Sequence, residues 1–204
     1  MSIINPYQVV RDFETAVAAY CGAPYAVAVN SCTNAIFLCL MWHNANGRLP
    51  AAIEIPRRTY VSVPMQILHA GAKVTFRDEQ WSGVYQLAPL PVWDAARRFS
   101  AAMYDSGTMM CTSHHWSKTL GIQQGGCILH DSKEADAWFR RARFDGRTEG
   151  VKPKDDKFDM LGYHMYLSPE IAAEGLVRLS FLPKRNPDLP NDEYPDLSQM
   201  PLFQ

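Results

Sequence analysis

The feature that most restricts the fold of this chain is the run Tyr25-Ala26-Val27-Ala28-Val29, the polar elbow Asn30-Ser31-Cys32-Thr33-Asn34, and the apolar segment 35–42 that follows. The first run is short enough for a strand buried on both faces, and the segment after the elbow suits a helix. The same succession recurs. Residues 51–56 read as a second strand, and 60–70 as a helix with Val61, Met65, Ile67 and Leu68 on its inner side. Residues 73–77 read as a third strand, entered through Gly71. Upstream, 6–20 carries Val9, Val10, Phe13, Val17 and Ala18 at helical spacing and stops at Cys21-Gly22. Downstream, the spacing predicts strands over 91–97, 108–114 and 127–130, an amphipathic helix over 133–143, and a short loop over 78–90. Strands that alternate with helices need crossover connections, so the expected fold is α/β, three-layered, with a mostly parallel sheet. Ligands collect beyond the carboxyl ends of such strands.

The chain has 204 residues, 47% of them hydrophobic, enough for a buried core. The expected organisation is one α/β domain over residues 1–182 and an extended tail over 183–204, which contains five prolines. A formal charge of −1 lacks the basic excess that binds a phosphate backbone, which argues against a nucleic-acid partner. No stretch approaches the roughly 20 apolar residues of a membrane span, and Arg11 and Asp12 interrupt any leader-like core. Cys21, Cys32, Cys39, Cys111 and Cys127 are odd in number and lie mostly in apolar runs, as free thiols of a reducing, cytoplasmic compartment would.

Four expected strand ends carry chemistry. Ser31-Cys32-Thr33 opens a helix whose free N–H groups can take a phosphate; the plainer reading is an N-cap by Ser31 or Thr33. Tyr60 stands at a strand-to-helix junction, where a core aromatic is the plain reading. Asp94 ends an apolar run, as a carboxylate aimed into a site or as the cap of a following helix. Met109-Met110-Cys111 leads to Ser113, to Lys118 and to the Gly125-Gly126 pair, where the backbone can approach closely. A lysine held in such a loop suits a fixed amine of the Schiff-base kind, against the commoner wet surface lysine.

These stretches, in this order, resemble the DegT/DnrJ/EryC1/StrS family. Its members are sugar aminotransferases that use pyridoxal phosphate on the fold type I, aspartate-aminotransferase architecture. Residues 25–35 are similar to the family's YAVAVNSGTxAL, with Cys32 in place of a glycine. Thr59-Tyr60-Val61 resembles its aromatic motif and Asp94-Ala95-Ala96 its DAA. Residues 113–118 with Gly125-Gly126 resemble SFxxxK followed by GG, and Leu161-Gly162-Tyr163-His164 resembles LGYN, with a helix at 171–176 after it. The resemblance implies that Lys118 forms the Schiff base with pyridoxal 5'-phosphate and moves protons. It implies that Asp94 pairs with the pyridine nitrogen, that Tyr60 stacks on the ring, and that Cys32, Thr33 and Ser113 hold the phosphate.

The departures bear on the same site. Arg97 stands where the family carries Gln or His toward the cofactor's phenolic oxygen; its guanidinium can bind the cofactor by stabilising that oxyanion, or the contact is lost. His164 replaces an Asn that reaches the neighbouring subunit's phosphate, or is a plain surface histidine. His114 and His115 read as pocket lining, since no third ligand stands at metal-binding spacing. The family's small C-terminal domain has no counterpart after about Leu182. The implied activity is amino transfer from glutamate or glutamine to a nucleotide-linked keto-sugar, by a homodimer or larger assembly with its sites at the interface. The alternatives are another pyridoxal phosphate reaction, such as elimination, and a non-catalytic binding or assembly module.

Overall fold

The computed structural model describes residues 5–191 and 193–204. The first helix, α1 (Gln8–Cys21), ends where Gly22 turns into the left-handed region at φ 77°. Strand β1 (Tyr25–Val29) and helix α2 (Cys32–Ala45) follow. The helix begins earlier than its apolar pattern suggests, because the Ser31 side chain accepts the Asn34 N–H and admits Cys32 and Thr33 to the first turn. Most of α2 is apolar and buried, as in a helix enclosed by its neighbours.

Next come β2 (Ala52–Pro56), α3 (Ser62–His69) and β3 (Lys73–Arg77). Tyr60 therefore precedes α3 rather than starting it. The expected loop over 78–90 holds a two-residue strand, β4 (Tyr85–Gln86). Strands β5 (Val92–Asp94), β6 (Met109–Ser113) and β7 (Gly126–His130) complete the sheet, and α4 (Lys133–Ala142) and α5 (Pro169–Phe181) complete the helices.

The main sheet has the order β1-β7-β6-β5-β4, and β2 pairs with β3 in a separate two-stranded ladder. Glu54 of β2 exchanges backbone hydrogen bonds with Ala88, just beyond β4, which brings the two ladders edge to edge. The sheet is mixed rather than mostly parallel. β5/β6 and β2/β3 are parallel, whereas β1/β7, β6/β7 and β4/β5 are antiparallel. No helix separates β6 from β7, so their connection is a hairpin and β7 must run backwards. Inserted between β1 and β6, it makes both of its ladders antiparallel although β1, β5 and β6 share one direction.

Alternation along the strands divides the core. Val27, Val29, Met109, Cys111 and Ile128 pack with α2 and with Ala135 and Phe139 of α4. Ala26, Ala28, Met110, Cys127 and Leu129 face Phe13 and Val17 of α1 and Leu179 of α5. Each large apolar side chain so enclosed contributes about 1.5–3 kcal/mol relative to exposure. The result is a three-layer helix–sheet–helix stack. All five cysteines are free and buried in it. Among the described residues no helix is long and apolar enough to cross a membrane.

Among the described residues after α5 there is no further α-helix or strand, only short 3-10 turns at Leu197–Gln199 and Pro201–Phe203. It does not trail into solvent. Asp188 forms a two-point ion pair with Arg98, at 2.8 and 2.6 Å, and Leu197 is buried with its N–H on the Arg57 carbonyl. Gly83 makes room for this course, since a Cβ there would stand 2.3 Å from the Asp188 carboxylate.

Candidate active site

The carboxyl ends of β1, β5 and β6 open on one cavity of about 530 Å³. Cys32, Thr33, Tyr60, Asp94, Arg97, Ser113 and Lys118 all line it, so seven of the eight expected residues are brought together from four separate stretches of chain.

At its floor, β7 starts against the start of α2. A Cβ on Gly126 would lie 2.6 Å from the Cys32 nitrogen and 2.7 Å from the Thr112 oxygen, so only glycine permits this approach. The close packing fixes the α2 N-terminus beside Ser113. The first-turn N–H groups of Cys32 and Thr33 have no partner among the described hydrogen bonds. With the helix dipole they form an anion-binding end. The Thr33 hydroxyl is within 2.8 Å of Ser62 Oγ, and Cys32 Sγ lies 3.3 Å from the Cys111 carbonyl, turned inward.

Asp94 is 5% exposed. Its Oδ1 accepts the Ala96 N–H at 2.8 Å and its Oδ2 accepts the Tyr85 hydroxyl at 2.8 Å. No helix follows Asp94, which rules out the capping alternative. Burial raises its pKa, and the bonds from Ala96 and Tyr85 and the charges of Lys118 and Arg97 only partly offset this. Tyr85 is held in turn by Thr59, 2.6 Å between hydroxyls. Thr59 belongs to the Thr59-Tyr60-Val61 motif, but Tyr85 does not stand out in the sequence. Tyr85 lies in the segment read as loop, and the antiparallel register of β4 against β5 places it opposite Asp94.

Lys118 is half-buried, in the turn closed by its N–H on the His115 carbonyl at 2.8 Å. Burial and then the charge of Arg97 lower its pKa, against the opposing pull of Asp94. A lysine so placed is a better nucleophile than a surface one, because more of it is neutral. Tyr60 is 55% exposed on the cavity wall, with its ring free for a ligand.

The remaining candidates separate. His115 lines the cavity, but His114 does not. It is fully buried between Phe13 and Phe99, and burial pulls its pKa down to about 3. It is a neutral core residue. His164 is also outside the cavity. It sits on the outer surface, bridged to Phe144 and 3.0 Å from the Asp145 carboxylate, while Tyr163 and Met165 on either side of it pack against the core. The sequence reading also missed the tail. Tyr194 stands at the cavity mouth 6.2 Å from Trp81, the rings nearly parallel, and its hydroxyl accepts the Arg97 Nε–H at 2.9 Å.

Residues 2–88 match the model of the DegT/DnrJ/EryC1/StrS aminotransferase family. Over 71 residues the chain is 45% identical to the spore coat polysaccharide biosynthesis protein SpsC of Bacillus subtilis (strain 168), which covers 34% of this chain and 17% of SpsC. In three dimensions it resembles AtS13 from Actinomadura melliaura at a TM-score of 0.74 and 20% identity, covering 85% of this chain and 60% of that one. It is also similar to the sugar aminotransferase CalS13 from Micromonospora echinospora, at a TM-score of 0.72 and 18% identity over 85% and 60% of the two chains. The chain thus spans less than two thirds of the length of these proteins. Its fold is the α/β fold of the type I aminotransferases, and the family likeness drawn from the motifs holds in the family's own model over the first part of the chain.

Proposed function

We propose that this chain forms the cofactor-binding part of a pyridoxal-phosphate-dependent sugar aminotransferase. The observation that carries the reading is the convergence, in one cavity, of a buried carboxylate, a lysine of lowered pKa and a helix N-terminus whose Cys32 and Thr33 N–H groups have no partner among the described hydrogen bonds. These groups fit the cofactor. The Cys32 and Thr33 N–H groups and the Ser113 hydroxyl suit its phosphate, and Asp94, already hydrogen-bonded on both oxygens, is oriented for a ring N–H. When bound, pyridoxal phosphate supplies the electron sink that stabilises a carbanion next to the donor's nitrogen.

The chain's own residues do the rest. Lys118 provides the neutral amine that holds the cofactor and then carries a proton at the donor's α-carbon. Asp94 keeps a proton on the ring nitrogen. Its raised pKa in the free cavity reverses once a cationic partner sits against it. Tyr60 covers one ring face. The α2 N-terminus anchors the phosphate so that the reacting atoms keep their positions.

Glutamate or glutamine as donor and a nucleotide-linked keto-sugar as acceptor suit the sugar-modifying names of the similar proteins. A second copy of the chain is the fitting partner. Trp116, Phe158 and Leu161 are exposed by 70%, 67% and 79%, on the lysine loop and on the segment that carries His164. Covering them in a dimer would place His164 toward the other subunit. Five free buried thiols suit a cytoplasmic setting.

The test is amino transfer from glutamate to a panel of nucleotide-linked keto-sugars after reconstitution with pyridoxal phosphate. Formation of 2-oxoglutarate together with the aminated sugar supports the assignment. Loss of a sugar hydroxyl without nitrogen transfer assigns elimination instead, and no reaction with a bound cofactor assigns a binding role.

A further inference from the structure

Arg97 is a cation on the wall of the cavity, yet among the described residues it makes no ion pair and one side-chain hydrogen bond, to Tyr194. That bond uses Nε, the guanidinium carbon lies 4.9 Å from the Tyr194 ring centre, and the outer nitrogens have no hydrogen-bond partner among the described residues. Tyr194 comes from far along the chain and is fastened on both sides. Before it, Asp188 grips Arg98, the Leu189 N–H bonds the Arg97 carbonyl at 2.8 Å, and the Asn191 side chain bonds the Trp81 carbonyl at 2.8 Å. After it, Asp196 faces Arg57 at 3.5 Å and Leu197 is buried. Between these fixed points the ring is held beside Trp81, with Tyr60 edge-on at 6.4 Å.

A long, unpaired arginine loses much rotamer freedom on engaging a ligand, and a hydroxyl that fixes Nε removes part of that cost beforehand. We propose that Tyr194 is a positioning residue for Arg97, and that Arg97 is the cavity's seat for an oxyanion distinct from the one at the α2 N-terminus. The planar fork suits a carboxylate or a phosphate. The two sources are the carboxylate of an amino donor and a phosphoryl group of a nucleotide-linked acceptor. The inference rests on the cavity assigned above, but it is tested through binding alone.

Binding of L-glutamate and of inorganic phosphate to the full chain, with its Lys118 cofactor adduct reduced by borohydride so that the donor cannot react, is measured by calorimetry for wild type, Tyr194→Phe, Arg97→Gln and the double variant. Tyr194→Phe keeps the ring and should weaken the recognised anion about threefold to tenfold without lowering the unfolding temperature. Arg97→Gln should weaken it about tenfold or more, and the double variant no further than Arg97→Gln alone. Arg97→Lys, which keeps the charge but not the fork, is the second variant should Gln not fold, and it should leave binding insensitive to Tyr194→Phe. Loss confined to glutamate assigns a donor carboxylate, and loss confined to phosphate assigns the nucleotide side. Unchanged binding in Tyr194→Phe beside a loss in Arg97→Gln overturns the positioning role. Unchanged binding in both, or no binding of either anion to wild type, overturns the seat. Failure of amino transfer with these losses intact would sink the aminotransferase reading and leave the seat standing.

Discussion

Two carboxylates are buried on opposite sides of the sheet, and they are treated in opposite ways. Glu14, on α1, is 2% exposed and meets two guanidiniums, Arg143 and Arg140, together with the Ala28 N–H at 2.9 Å. Burial pushes its pKa up, but the two arginine charges overcome this and hold it below the usual range. Asp94, on β5, is nearly as buried, yet it has a tyrosine hydroxyl and one backbone N–H, and its cations stand further off, so burial prevails. Glu14 is satisfied within the protein. Asp94, Lys118 and Arg97 are left open to one another across a cavity, an arrangement that suits a ligand supplying the missing partner.

The contrast can be broken most severely at Glu14. Glu14→Gln leaves the buried Arg143 with only the longer ionic contact to Glu149, at 3.7 Å, and should cost about 3–5 kcal/mol in chemical denaturation. A cost below about 1 kcal/mol would mean that the cluster is not a structural pin. Asp94→Asn should cost little stability, since it removes an ill-compensated buried charge, but should lower amino transfer by at least about 10²-fold. Tyr85→Phe, which removes one donor from that carboxylate, should cost about 1.5 kcal/mol and weaken cofactor binding, as titration would show.

The same pair predicts a pH signature in the ligand-free protein. Glu14 has a folded pKa below its unfolded value, so its contribution is present above about pH 4.3 and is lost as pH falls through the folded value. Asp94 has the opposite sign. Its folded pKa is raised, so its contribution is complete below about pH 3.9 and is lost as pH rises through the folded value. Denaturation of wild type and Asp94→Asn against pH should therefore diverge in favour of the variant as pH rises. Parallel curves would contradict the assignment.

Much of this site is local in sequence and some is not. The elbow after β1, the acid ending β5 and the lysine loop each follow a strand pattern and precede a break, so short-range periodicity finds them. Strand β4 is two residues long and gives almost no period, which hid Tyr85 as the partner of Asp94. The reversal of β7 was available in principle, because nothing helical lies between Ser113 and Gly126 to carry a crossover. Tyr194 had no such signal. It is 97 positions from Arg97, and its proline-flanked setting reads as open chain until Asp188 and Leu197 are seen to fasten it. His164 shows the converse, a motif position that this chain holds on its outer surface rather than in its own cavity.

The most direct test of the central claim is chemical trapping. The protein is incubated with pyridoxal phosphate, reduced with borohydride and mapped by peptide mass. The account predicts one stable adduct, on the peptide containing Lys118, lost in Lys118→Ala and retained in Glu14→Gln to the extent that it folds. Adducts spread over surface lysines, or none on Lys118 at saturating cofactor, would contradict it.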